Sequence, residues 1–447
     1  MPRATLMFAS AFALILSFSQ AVPSPTTAAV RGGPPGPTRA IQHVIVIVQE
    51  NRTPDNLFQG LPGADIASSG LNSKGKTVAL VPRKLADRYD LDHSHAGFLT
   101  EYDNGKMDGW DLEKATCPST CLPKTAFAYV PRKWVQPYFT LAQTYTFGDR
   151  TFQDNQGPSF PAHQYIIAGT STPGGKYASL LAAENLLYHK GTWLTGGNCD
   201  GSPKNRVMTI DPSTGVESVK VPPCFEHKTI TDLLDTNGFS WRYYNHLSTG
   251  YWSGPDAIRH IRYGPDWANV ITPETTILSD ISGGSLAAVS WVMPSALESD
   301  HATSNNGSGP AYVASIVNAV GASKYWNTTA IFITWDDWGG WFDHVKPVIY
   351  NKYEVGFRVP LIVVSPYAKR GYVSHVQHQQ SSILHFIEKN FGLATLGYAD
   401  ARADDLADCF NFKRPPTKFA FVPTPGWTAA DLARAAAPSN VPADDDF

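Results

Sequence analysis

The sequence predicts an α/β fold built on a largely parallel sheet. Three observations carry that expectation: compact β-branched runs, a polar cluster closing each run, and stretches of helical spacing between them. The first run, IQHVIVIV at 41–48, shows no polar alternation, as a strand buried on both faces requires, and ends in QENRTPDN. AAVSWVM at 287–293 is a further strand, and the SGPAYVASIVNAVGAS after it has helical spacing over 309–321. TAIFIT at 329–334 is another, closed by WDDWGG, and VPLIVVSP at 359–366 is a fourth, stopped by Pro366. HVQHQQSSILHFIEK at 375–389 then carries Ile383, Phe386 and Ile387 on a helical period. The segment 171–285 is rich in Gly, Pro, Asn and Tyr and reads as a loop-rich cap of short helices and a small hairpin. In such sheets the ligand crevice lies at the carboxyl ends of the strands, which puts Glu50-Asn51 and Asp336-Asp337 on one rim.

The chain has 447 residues, and its first 22 read as an export signal. Arg3 supplies a positive start, an apolar run comes next, and Ser19-Gln20-Ala21 resembles a small-residue cleavage site. The Pro/Gly-rich stretch 23–40 reads as a disordered lead-in, leaving 41–447 as the folded body. No later stretch is long and apolar enough to span a bilayer, so the mature body is expected to have no integral membrane segment. A net charge of −3 without a basic stripe argues against nucleic acid as a partner. Five cysteines suit an exported chain with two local disulfides among Cys117, Cys121, Cys199 and Cys224, leaving Cys409 over, while the sequence leaves the pairing itself open. The competing structural zinc site lacks a second cysteine pair or histidine at zinc spacing.

Two adjacent carboxylates, Asp336 and Asp337, repel one another. A turn or a helix cap is the ordinary use of such a pair, but a bound cation explains the doubled charge better. Glu50 and Asn51 add one charged and one neutral oxygen, giving an oxygen-rich set for one hard or borderline divalent ion, Ca, Zn, Mg or Mn. In DNQGPSFPAHQY (154–165), Ser159 stands where loop passes into helix. There a hydroxyl either caps the helix or, beside a metal, becomes a nucleophile. Histidines gather in polar loops: His93 and His95 in DLDHSHAGF, His301 in LESDHATSNNGSG, His344 in WFDH and His375 in YVSHVQHQQ. Imidazoles there can protonate a leaving oxygen or hold a tetrahedral anion.

Six stretches occur in order: HVIVIVQENRTPDNLFQG (43–60), DLDHSHAGF with NGKMDGW (90–110), GPSFPAHQY (157–165), VSWVMPSALESDH with NNGSGPAYVASIVNAVG (289–321), ITWDDWGGWFDHVKP (333–347) and GFRVPLIVVSPYAKRGYVSH (356–375). Together they resemble the phosphoesterase family of bacterial non-specific phospholipases C and related acid phosphatases, within the alkaline-phosphatase-like superfamily. The resemblance implies a three-layer α/β/α sandwich with a mixed, mostly parallel sheet, and a catalytic domain over 41–447. It further implies one ion on Glu50, Asn51, Asp336 and Asp337, with Ser159 as both ligand and nucleophile. Asn51, His93 and His301 would serve catalysis at the phosphoryl or leaving group, and His95 and His344 would bind substrate. Larger phospholipase members carry Thr where this chain has Ser159, and acid phosphatase members carry Ser. Gln379 and Gln380 stand where relatives have an Asp-His pair, which is why one ion rather than two is expected.

The expected activity is therefore that of an exported, metal-dependent, acid-phosphatase-like enzyme working through a phosphoseryl intermediate. It would be periplasmic or extracellular, and its substrate a phosphate monoester or a phospholipid. The alternative is a non-specific phospholipase C that cleaves phosphatidylcholine-type diesters to diacylglycerol. A non-catalytic anion-binding protein is the remote alternative, set against an intact Glu-Asn, Ser, Asp-Asp set.

Overall fold

Val44 to Val48 are buried without a gap and form the middle of β1 (His43–Gln49). The computed structural model describes residues 40–426 apart from 118–120, 122–124, 188–196, 248–249 and 251. The expected leader, 1–22, and the lead-in as far as residue 39 lie outside the described residues.

β1 shares one sheet with β2 (Thr146–Gly148), β3 (Trp241–Tyr244), β4 (Val270–Ile271), β5 (Val289–Val292), β6 (Thr329–Trp335), β7 (Leu361–Val364) and β8 (Tyr372–Ser374). The order across the sheet is β4-β3-β5-β1-β6-β7-β2-β8. β7 runs antiparallel to both neighbours, and the other pairings are parallel. Every residue of β5, β6 and β7 is buried, so helices must cover both faces of the sheet. They are α1 (Gln136–Thr144), α2 (Ser159–Ala168), α3 (Thr276–Gly283), α4 (Gly309–Gly321) and α5 (Ser381–Phe391). α1 and α3 pack on α4, while α2 packs on α5. The result is a three-layer α/β/α sandwich with a mixed, mostly parallel sheet.

Two boundaries differ from the sequence expectation. The segment 171–285 is not all cap. Its first half forms an antiparallel meander of Leu181–Leu187, Arg206–Asp211 and Val216–Val221, but its second half supplies β3 and β4 to the central sheet. Strands of four and two residues are too short to stand out from their Gly- and Pro-rich flanks. The helix expected over 375–389 begins only at Ser381. Before it, His378–Gln379 pairs in parallel with Thr151–Phe152, and the Asp154 carboxylate accepts the Ser381 N–H at 2.9 Å, capping the helix there.

Two disulfides are present as expected, and the structure pairs Cys117 with Cys121 and Cys199 with Cys224, leaving Cys409 as a buried free thiol.

Candidate active site

β1 and β6 pair in register to their last residues, Gln49 opposite Trp335. Parallel neighbours that stop together release their next residues at one edge, so Glu50-Asn51 and Asp336-Asp337 leave the sheet side by side. The chains stay joined beyond the strands, with Asp336 N–H donating to Gln49 O and Arg52 N–H to Asp337 O, each at 3.0 Å. Asn51 takes a left-handed backbone, φ 58°, which asparagine tolerates better than most residues, and its N–H donates to Asp336 Oδ1 at 3.0 Å. On the facing turn Gly339, at φ 63°, donates its N–H to Asp337 Oδ1 at 2.7 Å. A Cβ at Gly339 would stand 2.5 Å from the Asn51 carbonyl oxygen, so only glycine allows this approach.

Ser159 opens α2, and its hydroxyl lies 3.2 Å from Asp337 Oδ2 and 3.4 Å from Glu50 Oε2. One helical turn on, His163 places Nε2 at 3.2 Å from Glu50 Oε1 and 3.7 Å from Asp336 Oδ2. Glu50, Ser159, His163, Asp336 and Asp337 are all 0% exposed. Burial, reinforced by Asp336, pushes the Glu50 carboxyl well above its usual range. Burial brings His163 down to about 4 against the opposing pull of Asp336, so its imidazole is neutral at physiological pH, the form that ligates a cation. The neighbouring cation Arg52 is spent elsewhere, its guanidinium donating to the Asp300 and Leu85 carbonyls.

The Asn51 side chain points to a cation. Its amide nitrogen lies 3.0 Å from His93 Nε2 and 3.1 Å from His301 Nε2. Its amide oxygen lies 3.1 Å from both Glu50 Oε2 and Asp336 Oδ1, acceptor against acceptor. Turning the amide over would satisfy the carboxylates and spoil the other side. His93 Nδ1 donates to Leu91 O at 2.7 Å and His301 Nδ1 to Ala302 O at 2.6 Å. In each neutral ring Nε2 is then a lone pair that needs the Asn51 N–H. A cation among the oxygens of Glu50, Asn51 and Asp336 resolves the conflict without a flip. Asp336 Oδ2, buried and without a hydrogen-bond donor, belongs to the same gap. The residues therefore fit a divalent ion held by Glu50, Asn51, Asp336 and Asp337, with Ser159 and His163 beside it.

A model of the Phosphoesterase family matches residues 41–394. The chain belongs to the Phosphoesterase family. Phospholipase C B of Mycobacterium tuberculosis is 25% identical to it, over 86% of this chain and 80% of that protein. Non-hemolytic phospholipase C of Burkholderia pseudomallei is 24% identical, over 91% of this chain and 64% of that protein. Non-specific phospholipase C6 of Arabidopsis thaliana is 25% identical, over 84% and 73%. Among solved structures, a protein of the alkaline phosphatase superfamily from Vibrio parahaemolyticus aligns with a TM-score of 0.38 and 10% identity, over 83% of this chain and 72% of that one. The chain is a phosphoester-cleaving hydrolase.

In this phosphoesterase, Glu50, Asn51, Ser159, Asp336, Asp337, His93 and His301 come together at one rim. His163, which the sequence reading passed over, joins them. Its signal was its place four residues after Ser159, which on a helix puts both side chains on one face. Two other histidines are engaged elsewhere. His95 Nδ1 bonds Glu217 Oε1 at 2.7 Å, on the meander. His344 sits half-buried between Asp55 Oδ2 at 2.7 Å and Asp65 Oδ1 at 3.1 Å, beside the buried Arg358 and Asp343. The departure at Gln379 and Gln380 is also explained. Gln380 Nε2 donates to the carbonyls of Trp335 and Asp336 at 2.7 and 2.6 Å, and Gln379 Nε2 to Asp154 Oδ1 at 3.0 Å. Gln380 thus braces the loop that carries Asp336 and Asp337, and Gln379 braces Asp154 at the start of the segment leading to Ser159.

α2 presents fewer amides to an anion than its position suggests. Phe160 N–H is taken by Asn185 Oδ1 at 2.8 Å, and Pro161 has none, which leaves the Ser159 N–H of the first three residues.

Proposed function

We propose that Ser159 is the nucleophile of a two-step phosphoester hydrolysis. The observation that supports this most directly is the Ser159 hydroxyl lying between the Asp337 and Glu50 carboxylates. Ser159 Oγ attacks phosphorus, its proton passes to one of those carboxylates, and the bond to the leaving oxygen breaks. On substrate binding His301 Nε2 exchanges the Asn51 N–H for a proton and delivers it to that oxygen, while His93, likewise protonated, holds the phosphoryl oxygens and Asn51 positions the two imidazoles and the ion. Water then attacks the phosphoserine from the opposite side, and Ser159 recovers its proton. A divalent ion on Glu50, Asn51, Asp336 and Asp337 would lower the pKa of the Ser159 hydroxyl and offset charge on the phosphoryl oxygens. His163, as a nitrogen donor, favours zinc or manganese over calcium or magnesium.

The substrate class we assign is a phospholipid-type phosphodiester, because the curated relatives are phospholipases C. One observation favours the second reading, an acid-phosphatase-like monoesterase. Ser159 and the Glu50, Asp336 and Asp337 carboxylates are 0% exposed, an enclosed polar setting that suits a small phosphate better than an acyl-bearing lipid. The two disulfides suit an oxidising compartment, so we place the protein outside the cytoplasm, periplasmic or extracellular. Among the described residues no helix is long and apolar enough to cross a membrane.

The test is to assay the wild type and Ser159→Ala on p-nitrophenyl phosphate, its phosphorylcholine diester and phosphatidylcholine, from mildly acid to mildly alkaline pH. The diester and the lipid should turn over fastest, and the variant should be inactive on all three. Preference for the monoester would decide for the second reading. A fully active Ser159→Ala would end the covalent scheme.

A further inference from the structure

A second group of metal-type donors lies outside the site described above. β8 ends at Ser374, the short strand His378–Gln379 comes next, and the turn Ala407–Cys409 returns to meet it. His378 Nε2 lies 3.6 Å from Asp408 Oδ1 and 4.0 Å from Cys409 Sγ, and Cys409 Sγ is 3.6 Å from Asp408 Oδ1. Zinc bonds of about 2.0–2.3 Å at tetrahedral angles separate neighbouring donors by roughly 3.3–3.7 Å. The triangle of nitrogen, oxygen and sulfur already has nearly that size.

The far side of the imidazole is arranged as ligating histidines are. His378 Nδ1 donates to Asp404 Oδ1 at 2.9 Å, and the same oxygen accepts the Ser382 hydroxyl at 2.6 Å. A carboxylate held in this way fixes the tautomer and aims the Nε2 lone pair. Ser374 Oγ, 2.9 Å from Nε2 and bonded also to Asp408, stands at the fourth corner. Ser374, His378 and Asp404 also have the connectivity of a nucleophile triad. That use is not the one the structure shows, because the Ser374 hydroxyl gives its single proton to Asp408 and not to His378 Nε2. The carboxylates of Asp404 and Asp408 keep 27% and 24% side-chain exposure, an opening that suits an ion.

We propose that His378, Asp408 and Cys409 bind a zinc-class transition-metal ion. The Ser374 hydroxyl completes four-coordination and Asp404 positions His378. The mixed nitrogen, oxygen and thiolate set is softer than the oxygen-rich site around Ser159 and so favours zinc-class ions over harder ones more strongly. Binding would release the Cys409 proton and staple the turn 407–409 to the segment that ends in Gln380. Gln380 in turn holds the carbonyls of Trp335 and Asp336. The ion is therefore structural, and it supports the catalytic rim from behind.

Cobalt substitution tests this without reference to activity. Four of the five cysteines are in disulfides, so a thiolate-to-cobalt charge-transfer band can come only from Cys409. The band is expected in the full-length protein loaded with cobalt. It should be absent in Cys409→Ser and retained in Asp336→Asn, whose change lies in the other site. Zinc should raise the unfolding temperature of Asp336→Asn and leave that of the double variant Asp336→Asn/Cys409→Ser unmoved. If Cys409→Ser does not fold, Asp408→Asn decides, with cobalt affinity at this band expected to fall about 10-fold or more. No charge-transfer band in the loaded wild type, or unchanged cobalt affinity in Asp408→Asn, overturns the proposal.

Discussion

Ser159 and His163 sit one turn apart on α2 and address the two oxygens of one carboxylate, Glu50, at 3.4 and 3.2 Å. A single helix thus brings both the Ser159 hydroxyl and a neutral nitrogen donor to the end of β1. Because they share a helix face, neither can shift without the other, and their substitutions should separate the nucleophile from the metal-holding role.

Ser159→Ala should lower kcat by about a thousandfold or more while metal content and the far-ultraviolet circular dichroism stay near wild type. His163→Ala should instead weaken metal affinity roughly 10- to 100-fold, with activity recovered by excess metal. Competition against a chelator with a rate assay distinguishes the two. A His163→Ala protein that holds its metal as tightly as wild type would remove that residue from the site.

His93 and His301 both receive the Asn51 amide, so their substitutions should not add. Each alanine variant alone is expected to cost about 10²- to 10⁴-fold in kcat/KM, and the double variant little more than the worse single one. Losses that multiply would show that the two imidazoles act independently rather than through one gripped amide.

Gly339→Ala should disable the site from outside it. The added methyl meets the Asn51 carbonyl, and the positive φ adds strain, together about 1–3 kcal/mol. Urea unfolding and metal titration should both register the change. Wild-type values for both would mean that the 336–340 turn can relax without moving Asn51.

Acid sensitivity has an identifiable contributor away from the site. Burial brings His227 from 6.5 down to about 4, and its Nδ1–H donates to Thr172 O at 2.7 Å. As pH falls through 6.5 the unfolded chain takes up a proton at this residue while the native one does not. Stability is therefore lost progressively down to about 4, by an amount on the order of 2–3 kcal/mol from this group. His227→Gln, compared with wild type by urea unfolding at neutral and acid pH, should lose less stability on acidification. Parallel losses in the two proteins would assign the acid sensitivity to other groups.

The β-branched runs at 43–49 and 329–335 determine two central strands by themselves, because an unbroken apolar run can only be buried on both faces. The positions of the polar residues that end them, Glu50-Asn51 and Asp336-Asp337, are set directly by where those runs stop. That two local disulfides form is expected from cysteine spacing in an exported chain, but which cysteines pair, at separations of 4 and 25 residues, is decided by the structure. Tertiary structure decided the rest. Whether His163 faces the carboxylates depends on how α2 is rotated where it docks, and a spacing of four says only that it shares a face with Ser159. His93 and His301 became neighbours through Asn51, and His95 and His344 were drawn to other carboxylates, because loops from distant segments converge only when the sheet closes. Local sequence pattern reports period and burial. Which side chains meet is set by the packing of elements far apart along the chain.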